Sequence, residues 1–181
     1  MKIVAFAASS SKHSINKKLI TYVVGLLESA DVEILDLNDY ELPLFSVDRE
    51  IELGHPDLAK VFFDKIGQSD LLIISFAEHN ASYTAAYKSL FDWCSRIDSK
   101  VFQNKPMILF STSPGARGGS SVLATAVSSA PHFGGQVRAS LSIPNFNENF
   151  DFESGHITNS AIQSQIMEAL SFVTIHNNNT I

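Results

Sequence analysis

Runs of apolar residues of strand length alternate with longer amphipathic segments along most of this chain. Residues 71–76 are nearly all apolar, which is typical of a central parallel strand covered on both faces. Residues 32–37 alternate apolar and polar positions, which indicates a strand nearer the margin of the sheet. The predicted strands are residues 2–8, 32–37, 71–76, 106–111 and 137–143. The predicted helices are residues 17–29, 56–66, 83–96, 120–132 and 162–175.

This alternation predicts one α/β domain over residues 1–176, with a doubly wound parallel sheet, right-handed crossovers and helices on both faces. Residues 38–54 contain Pro43 and mixed charge, and we interpret them as a loop. Pro56 is expected in the first turn of the next helix. Residues 177–181 begin with three asparagines and are predicted to form a flexible tail.

Three polar loops follow the first, third and fourth predicted strands, at the sheet edge where ligands of such folds bind. The first loop, residues 9–16, lacks the glycine patterns of dinucleotide and P-loop sites. It concentrates groups that can donate hydrogen bonds to a phosphate at the start of a helix, namely Ser9, Ser11, Ser14 and Asn16, with Lys12 as a possible charge partner. The alternative is an ordinary helix cap by Ser14, which needs a single hydroxyl.

The other two loops carry weaker signals. Residues 113–119 are rich in glycine, so their backbone could approach a flat ligand closely and turn bare N–H groups toward its ring oxygens, although a turn without a ligand also uses glycine and proline. Residues 77–82 offer Glu78, His79 and Asn80, with no spacing typical of a hydrolase. The histidines show no metal-ligand spacing, so no metal is expected.

The net charge, the apolar stretches and the cysteine content exclude several classes of protein. A net charge of −6 argues against a nucleic-acid surface. No apolar stretch approaches the length of a membrane span, and the opening apolar run is too short for a secretory signal. Cys94 is the single cysteine, which excludes an internal disulfide; beside Trp93 we interpret it as a packed core thiol. A cytoplasmic protein is expected.

Taken together, the three loops resemble the NADPH-dependent FMN reductase family. Residues 8–16 match its G-S-x-R-x-x-S-x-N motif at Ser9, Ser14 and Asn16, while Ala8 and Ser11 replace the glycine and the arginine. Residues 77–93 match P-E-Y-N-x-S-x-P-G-x-L-K-N-x-L-D-W in register. The matching residues there are Glu78, Asn80, Ser82, Lys88, Asp92 and Trp93. The motif S-x-G-x-x-G-G matches at Ser113, Gly115, Gly118 and Gly119.

The resemblance implies a flavodoxin-like sheet of order 2-1-3-4-5 that binds FMN, passes hydride from NAD(P)H through the flavin, and reduces a quinone, a flavin or a similar small acceptor. Because the flavin does the chemistry, no catalytic side chain is expected. The implied FMN-binding residues are Ser9, Ser11, Ser14, Ile15, Asn16, Glu78, His79, Asn80, Ser113, Gly115 and Gly118. His79 either contacts the flavin or only shapes its turn, and Arg117 either meets the NADPH phosphates or is solvated.

Alternatives to the enzyme remain at this point. A flavodoxin-type carrier would bind FMN but pass single electrons, and a non-catalytic module would fold without FMN. The family is commonly dimeric, so a homodimer or homotetramer is expected. Phenylalanines at 146, 150 and 152 either form an exposed partner surface or fold back onto the core. Lys88 and Asp92, spaced i,i+4, are expected to pair on a helix face.

Overall fold

The order of the strands in the sheet sets which loops meet at its edge. The computed structural model describes residues 1–27 and 30–177. Five parallel strands lie in the order β2-β1-β3-β4-β5, which confirms the predicted flavodoxin-like sheet. The strands are β1 Lys2–Ala8, β2 Asp31–Leu35, β3 Leu71–Phe76, β4 Pro106–Thr112 and β5 Gln136–Ile143. The helices are α1 Ile15–Gly25, α2 Val47–Leu53, α3 Asp57–Gly67, α4 Ala85–Ile97, α5 Ser120–Ser129, α6 Phe146–Asn149 and α7 Ser160–Asn177.

The sheet is covered on both faces, as the apolar strands predict. Successive residues of a strand point to opposite faces, so β1 sends Val4 and Phe6 into one core and Ile3 and Ala5 into the other. The first core packs against α3, α4 and α5, and the second against α1 and α7. Because β3 is buried along its whole length, it forms the centre of the molecule, whereas β2 is an edge strand as its alternating pattern predicts.

Several predicted boundaries are wrong. Residues 38–54 are not one loop, because they include most of a 3-10 helix, Leu37–Tyr40, and all of α2, whose residues are all at least partly exposed. Pro56 precedes the first turn of α3, as its N-cap. The helix predicted over 120–132 ends at Ser129 and continues as a 3-10 turn, Ala130–Phe133. The short antiparallel pair β6 Phe150–Asp151 and β7 His156–Ile157 was not predicted.

The predicted first helix and the predicted C-terminal tail have different bounds in the structure. The first predicted helix, residues 17–29, begins earlier, at Ile15, and ends at Gly25; residues 28 and 29 lie outside the described residues. Of the predicted tail at 177–181, Asn177 is the last residue of α7, and residues 178–181 lie outside the described residues.

Several residues that we interpret from the sequence as structural have structural roles in the fold. The Cys94 thiol is fully buried, and burial raises its pKa to about 12, so it remains protonated and inert near neutral pH. Trp93 is also fully buried, and its indole Nε1 donates a hydrogen bond to the Pro43 carbonyl oxygen at 2.7 Å. The Lys88 ammonium pairs with the Asp92 carboxylate at 2.7 Å on the surface of α4.

The phenylalanine cluster mainly folds back onto the core. Phe146 and Phe150 are buried and stack with their ring centroids 4.6 Å apart, and only Phe152 is half-exposed. Two of the three phenylalanines therefore follow the alternative in which the loop folds back onto the core, and Phe152 alone of the three stays exposed. No helix in the described part of the chain is both long and apolar enough to cross a membrane.

Candidate flavin site at the sheet edge

The first loop is organised by its own hydroxyls. Ser14 is the N-cap of α1, and its Oγ accepts a hydrogen bond from the Lys17 N–H at 3.3 Å. Ser9 Oγ accepts from the Ser11 N–H at 3.2 Å. Both hydroxyls act as acceptors in these bonds, which leaves their protons available to a further acceptor. The capping function is therefore present, and it does not exclude binding of an anion.

The start of α1 also offers backbone donors. The N–H groups of Ile15 and Asn16 have no hydrogen-bond partner among residues 1–27 and 30–177, as is usual in the first turn of a helix. The positive end of the helix dipole favours a negative charge at this position. Two free N–H groups beside the hydroxyls of Ser9 and Ser14 form a donor set that fits a terminal phosphate.

The side chain of Asn16 has a different role from the predicted one. It is 3% exposed, and its Oδ1 accepts hydrogen bonds from Ser75 Oγ at 2.7 Å and from the Thr112 N–H at 3.1 Å. Its Nδ2 donates to the Thr112 carbonyl oxygen at 3.2 Å. Because the amide joins α1 to the ends of β3 and β4, only the backbone N–H of Asn16 is placed to meet a phosphate.

Lys12 is the lysine within this loop. Lys17 pairs with Asp36, and the hydrogen bond from its ammonium lowers the pKa of the Asp36 carboxyl, so the charge of Lys17 is largely neutralised. Lys12 is exposed, and its side chain has no partner in the described part of the chain. Ser11, at the family's arginine position, is also exposed.

The middle loop is a tight two-residue turn. His79 and Ser82 exchange backbone hydrogen bonds of 3.0 and 3.1 Å, and the two residues between them have φ of 52° (Asn80) and 63° (Ala81). Positive φ at both central positions is typical of a type I′ turn, which asparagine tolerates and alanine does not favour. The turn leaves the side chains of His79 and Asn80 exposed at the sheet edge.

Glu78 connects the middle loop to the third loop. Its Oε2 accepts a hydrogen bond from the Val122 N–H at 2.9 Å, in the first turn of α5. The carboxylate therefore caps α5, where the helix dipole favours a negative charge. This contact fixes the distance between the two loops, and it uses one oxygen of a side chain that the resemblance assigns to the flavin.

Gly118 is required for packing. It has a φ of 57°, and a Cβ atom at this position would lie 2.6 Å from the carbonyl carbon of Ile143. Its N–H already donates to the Gly115 carbonyl oxygen at 3.1 Å, so the predicted bare N–H group is not present at Gly118. A Cβ atom at Gly115, by contrast, would have no neighbour within 4 Å. Gly115 therefore faces open space, whereas Gly118 does not.

Ser113 and Arg117 lie at the two ends of this loop's exposed part. Ser113 is partly buried, and its Oγ donates to the Gly115 carbonyl oxygen at 3.3 Å. Arg117 is exposed, and its guanidinium forms no hydrogen bond or ion pair with another described residue, whereas its carbonyl oxygen accepts a hydrogen bond from Ser142 Oγ at 3.1 Å. The backbone of Arg117 is thus fixed to β5 while its side chain is free to reach a ligand.

We expect Gly118→Ala to destabilise the protein by about 3 kcal/mol, because the new Cβ atom meets rigid backbone and the residue must keep a positive φ. Gly115→Ala, in the same loop, should change stability by less than about 0.5 kcal/mol. Urea unfolding of both variants measures the difference. Equal stabilities would show that the loop does not pack against β5 as described.

Comparison with known proteins places this site in a family. The family model for NADPH-dependent FMN reductase matches residues 1–148. The chain belongs to this family. It is 29% identical over 125 residues to NADPH:quinone oxidoreductase of Arabidopsis thaliana, covering 67% of the chain and 62% of that protein. It is 32% identical over 120 residues to 2-hydroxy-1,4-benzoquinone reductase of a Burkholderia species, covering 65% of the chain and 63% of that protein.

Solved structures support the same fold. FerB of Paracoccus denitrificans, a flavoenzyme NAD(P)H:(acceptor) oxidoreductase, superposes with a TM-score of 0.79 at 24% identity, covering 96% of this chain and 95% of that one. The description of the family names FMN and NADPH, which agrees with the cofactor and co-substrate that the motifs imply. The two curated relatives align over less than two thirds of their own lengths.

Sequence reasoning missed Thr84, which stands where the family motif has proline. Thr84 is 2% exposed, and its Oγ1 donates a hydrogen bond to the Ala8 carbonyl oxygen at 3.0 Å. Thr84 Oγ1 also accepts a hydrogen bond from the Tyr87 N–H at 3.3 Å. It therefore caps α4 and joins it to the end of β1. The signal was a threonine directly before an amphipathic helix, a common N-cap pattern.

Proposed function

We propose that this chain is an FMN-dependent NAD(P)H oxidoreductase that reduces a small acceptor such as a quinone or a flavin. The observation that carries the proposal is the meeting of three loops at one sheet edge, with the donor set of Ser9, Ser14 and the start of α1 in the first loop and open space at Gly115 in the third. This edge is where parallel α/β sheets bind their ligands. Family membership supports the same cofactor.

The residues fit FMN as follows. The hydroxyls of Ser9, Ser11 and Ser14 and the N–H groups of Ile15 and Asn16 would hold the phosphate. The flavin ring would lie near Glu78, His79 and Asn80 on one side and near Ser113, Gly115 and Gly118 on the other. FMN, when bound there, would supply the hydride-transfer chemistry. The protein orients the rings and needs no acid or base in contact with them.

The acceptor and the co-substrate are part of the proposal. Two similar proteins carry quinone in their names, which supports a quinone acceptor for this chain. The free guanidinium of Arg117, on a loop whose backbone is fixed, is suited to the phosphates of NADPH. A buried, reduced Cys94 suits a cytoplasmic protein, where thiols remain reduced.

The absorbance spectrum of the purified protein tests the function. We expect flavin absorption, either on purification or after FMN addition, and bleaching when NADPH is added without oxygen. Reoxidation by added quinone completes the cycle. A folded protein that binds no FMN would overturn the proposal, and a long-lived blue semiquinone without NADPH turnover would instead indicate a single-electron carrier.

We also propose that the protein forms a homodimer, or a homotetramer built from it. Helix α2 has no buried residue, and it exposes apolar side chains at Val47 and Ile51, which lie one turn apart. Leu53, the last residue of α2, and Leu44, three residues before the helix, are also exposed. A group of exposed apolar residues is typical of an interface between proteins. In a homodimer, a second copy of this chain would cover these apolar side chains.

We expect Ile51→Glu to shift the protein to a monomer, because a carboxylate would be desolvated at the interface. Met167→Glu is the control, since Met167 is also an exposed apolar residue, 51% exposed on α7 against 81% for Ile51 on α2. Sedimentation velocity of the two variants at equal concentration measures the change. A dimer that survives Ile51→Glu, or a monomeric wild type, would contradict this arrangement.

A further inference from the structure

An open recess lies beside the first loop, between α1 and the hairpin formed by β6 and β7. Its volume is about 340 Å³, within the range of about 300–1,000 Å³ that is typical of small-molecule sites. One wall is the face of α1 that carries Ser14, Lys18 and Thr21, which are three or four residues apart. The opposite wall includes Phe152 of the hairpin. Since a cavity of about 150 Å³ already holds benzene, the recess has room for a base with its ribose.

The recess is basic, although the chain carries a net charge of −6. Lys12, His13, Lys17 and Lys18 line it, and none of the described residues that line it is acidic. Lys17 pairs with Asp36, so its charge is largely compensated. The ammonium groups of Lys12 and Lys18 form no hydrogen bond or ion pair with any residue that the structure describes. Two uncompensated positive charges therefore line the same recess.

The ring of Phe152 positions Lys18 without neutralising it. The Lys18 Nζ atom lies 5.6 Å from the centroid of this ring, within the distance of about 6 Å that is usual for a cation–π contact. A carboxylate in the place of the ring would have consumed the charge of the ammonium. The aromatic contact instead leaves that charge to a further anionic partner, with which hydrogen bonds of the ammonium would be charge-assisted.

The hairpin holds this ring in place before any ligand binds. Phe152 is half-exposed, and it packs edge to face against Phe150 with ring centroids 5.3 Å apart. The carboxylate of Asp151 closes the following turn, accepting hydrogen bonds from the Glu153 N–H at 2.9 Å and from Ser154 Oγ at 2.6 Å. Asp151 is therefore occupied within its own turn. A fixed apolar surface beside two free cations suits a ligand that joins a phosphate to a ring.

The recess adjoins the flavin site, because Lys12, His13 and Ser14 of the first loop also line the recess. A ligand in the recess would therefore lie next to bound FMN. NADPH differs from NADH by one phosphate monoester, on the 2′-oxygen of the adenosine ribose. Such a group carries between one and two negative charges near neutral pH, and lysine is a common point-charge partner for phosphate.

We propose that this recess binds the 2′-phosphate of NADPH between the ammonium groups of Lys12 and Lys18, with the adenosine against the Phe152 ring. These contacts would make NADPH the preferred coenzyme over NADH. The choice of this ligand rests on the proposed function, which requires a nicotinamide coenzyme. Arg117, on the third loop, is then left for the pyrophosphate.

Titration with the two oxidised coenzymes tests the proposal, because NADP⁺ and NAD⁺ differ only in the 2′-phosphate and do not reduce the flavin. The protein is reconstituted with FMN, freed of excess FMN and titrated in a calorimeter at low, fixed ionic strength. We expect NADP⁺ to bind at least about tenfold more tightly than NAD⁺, as one charge-assisted hydrogen bond provides.

Lys18→Gln removes the charge and keeps most of the side chain, so it should reduce this preference to about threefold or less. Its affinity for NAD⁺ should change by less than about twofold. Lys2→Gln is the matched control, because it changes the net charge equally at the start of β1, the opposite end of that strand from the first loop. It should retain the preference of wild type.

A second pair of variants tests the location. Thr21 is exposed and lines the recess, so Thr21→Glu introduces a carboxylate there and should weaken NADP⁺ at least about tenfold. Thr21→Gln has nearly the same size and no charge, and it should bind NADP⁺ like wild type. Glutamate and glutamine both favour helix more than threonine does, so both variants are expected to fold.

Three results would overturn the proposal. In the first, wild type binds NADP⁺ and NAD⁺ equally. In the second, the preference survives both Lys18→Gln and Thr21→Glu, which would place the 2′-phosphate elsewhere, for example at Arg117. In the third, inorganic phosphate binds as tightly as NADP⁺ and responds equally to Lys18→Gln, which would identify a general anion site.

The titration separates this inference from the proposed function. Failure of the function is read from the absorbance spectrum, as absent FMN uptake or absent bleaching by NADPH. Failure of the inference is read from the coenzyme affinities, which need no turnover. A protein that retains no FMN is titrated as purified, and the same comparison of NADP⁺ with NAD⁺ decides the inference.

Discussion

Asn16→Ala is expected to destabilise the protein by about 4 kcal/mol, because it removes three buried hydrogen bonds and leaves their partners unpaired. The partners are the hydroxyl of Ser75 and the N–H and carbonyl groups of Thr112, all of them buried. A solvated asparagine would cost far less to replace. Urea denaturation of the flavin-free protein measures the effect without a contribution from FMN binding.

A double-mutant cycle identifies the source of this loss. Ser75→Ala removes the hydroxyl that donates a hydrogen bond to Asn16 Oδ1. The double variant therefore leaves no unpaired Ser75 hydroxyl in the core. The two losses should therefore be less than additive, with a coupling of about 1–2 kcal/mol. Asn38→Ala, at an exposed asparagine, controls for the loss of an amide and should cost under about 1 kcal/mol. Strict additivity would show that the Asn16–Ser75 contact does not contribute.

Asn16 also explains why site prediction from the sequence has a limit. A polar residue after a strand was predicted to face a ligand, and the helical position of Asn16 is compatible with that. The sequence cannot show that Ser75 and Thr112, 59 and 96 residues away, place their polar groups beneath it. A motif position that the family needs for folding and one that it needs for binding therefore look the same in the sequence.

The same distinction applies to Glu78 and Gly118. The family resemblance implies that both residues lie beside the flavin; in the fold, the Glu78 carboxylate also caps α5 and Gly118 also packs against Ile143. Both residues hold the third loop in position, so they support the site through its shape. Their roles depend on contacts with α5 and β5, which no local pattern encodes.

The fold itself was predictable because its strands are buried and strongly apolar. The run at β3 is buried at every residue, and the alternation at β2 marks an edge, so periodicity located both. Helix α2 was missed because all of its residues are at least partly exposed, so its charged and apolar residues follow no core-facing stripe. The pair β6 and β7 has two residues in each strand, too few to show a period.

Ser14→Asp separates helix capping from phosphate binding, and it carries the largest expected effect on the cofactor. Aspartate is as good an N-cap as serine, and its charge suits the positive end of α1, so stability should change by less than about 0.5 kcal/mol. A carboxylate beside the FMN phosphate, at about 4 Å and an effective dielectric constant of about 20, opposes binding by about 4 kcal/mol. FMN affinity should therefore fall by about two to three orders of magnitude.

Ser14→Asn is the matched control for this variant, because asparagine caps the helix equally well without a charge. It should retain FMN affinity to within about tenfold, since it loses one hydroxyl donor. Quenching of FMN fluorescence gives the affinities, and thermal unfolding of the flavin-free proteins checks the cap. Equal affinities for the two variants would place the phosphate away from this loop. A loss confined to Ser14→Asp, in a protein that unfolds like wild type, would assign the hydroxyl cluster at the end of β1 to an anion.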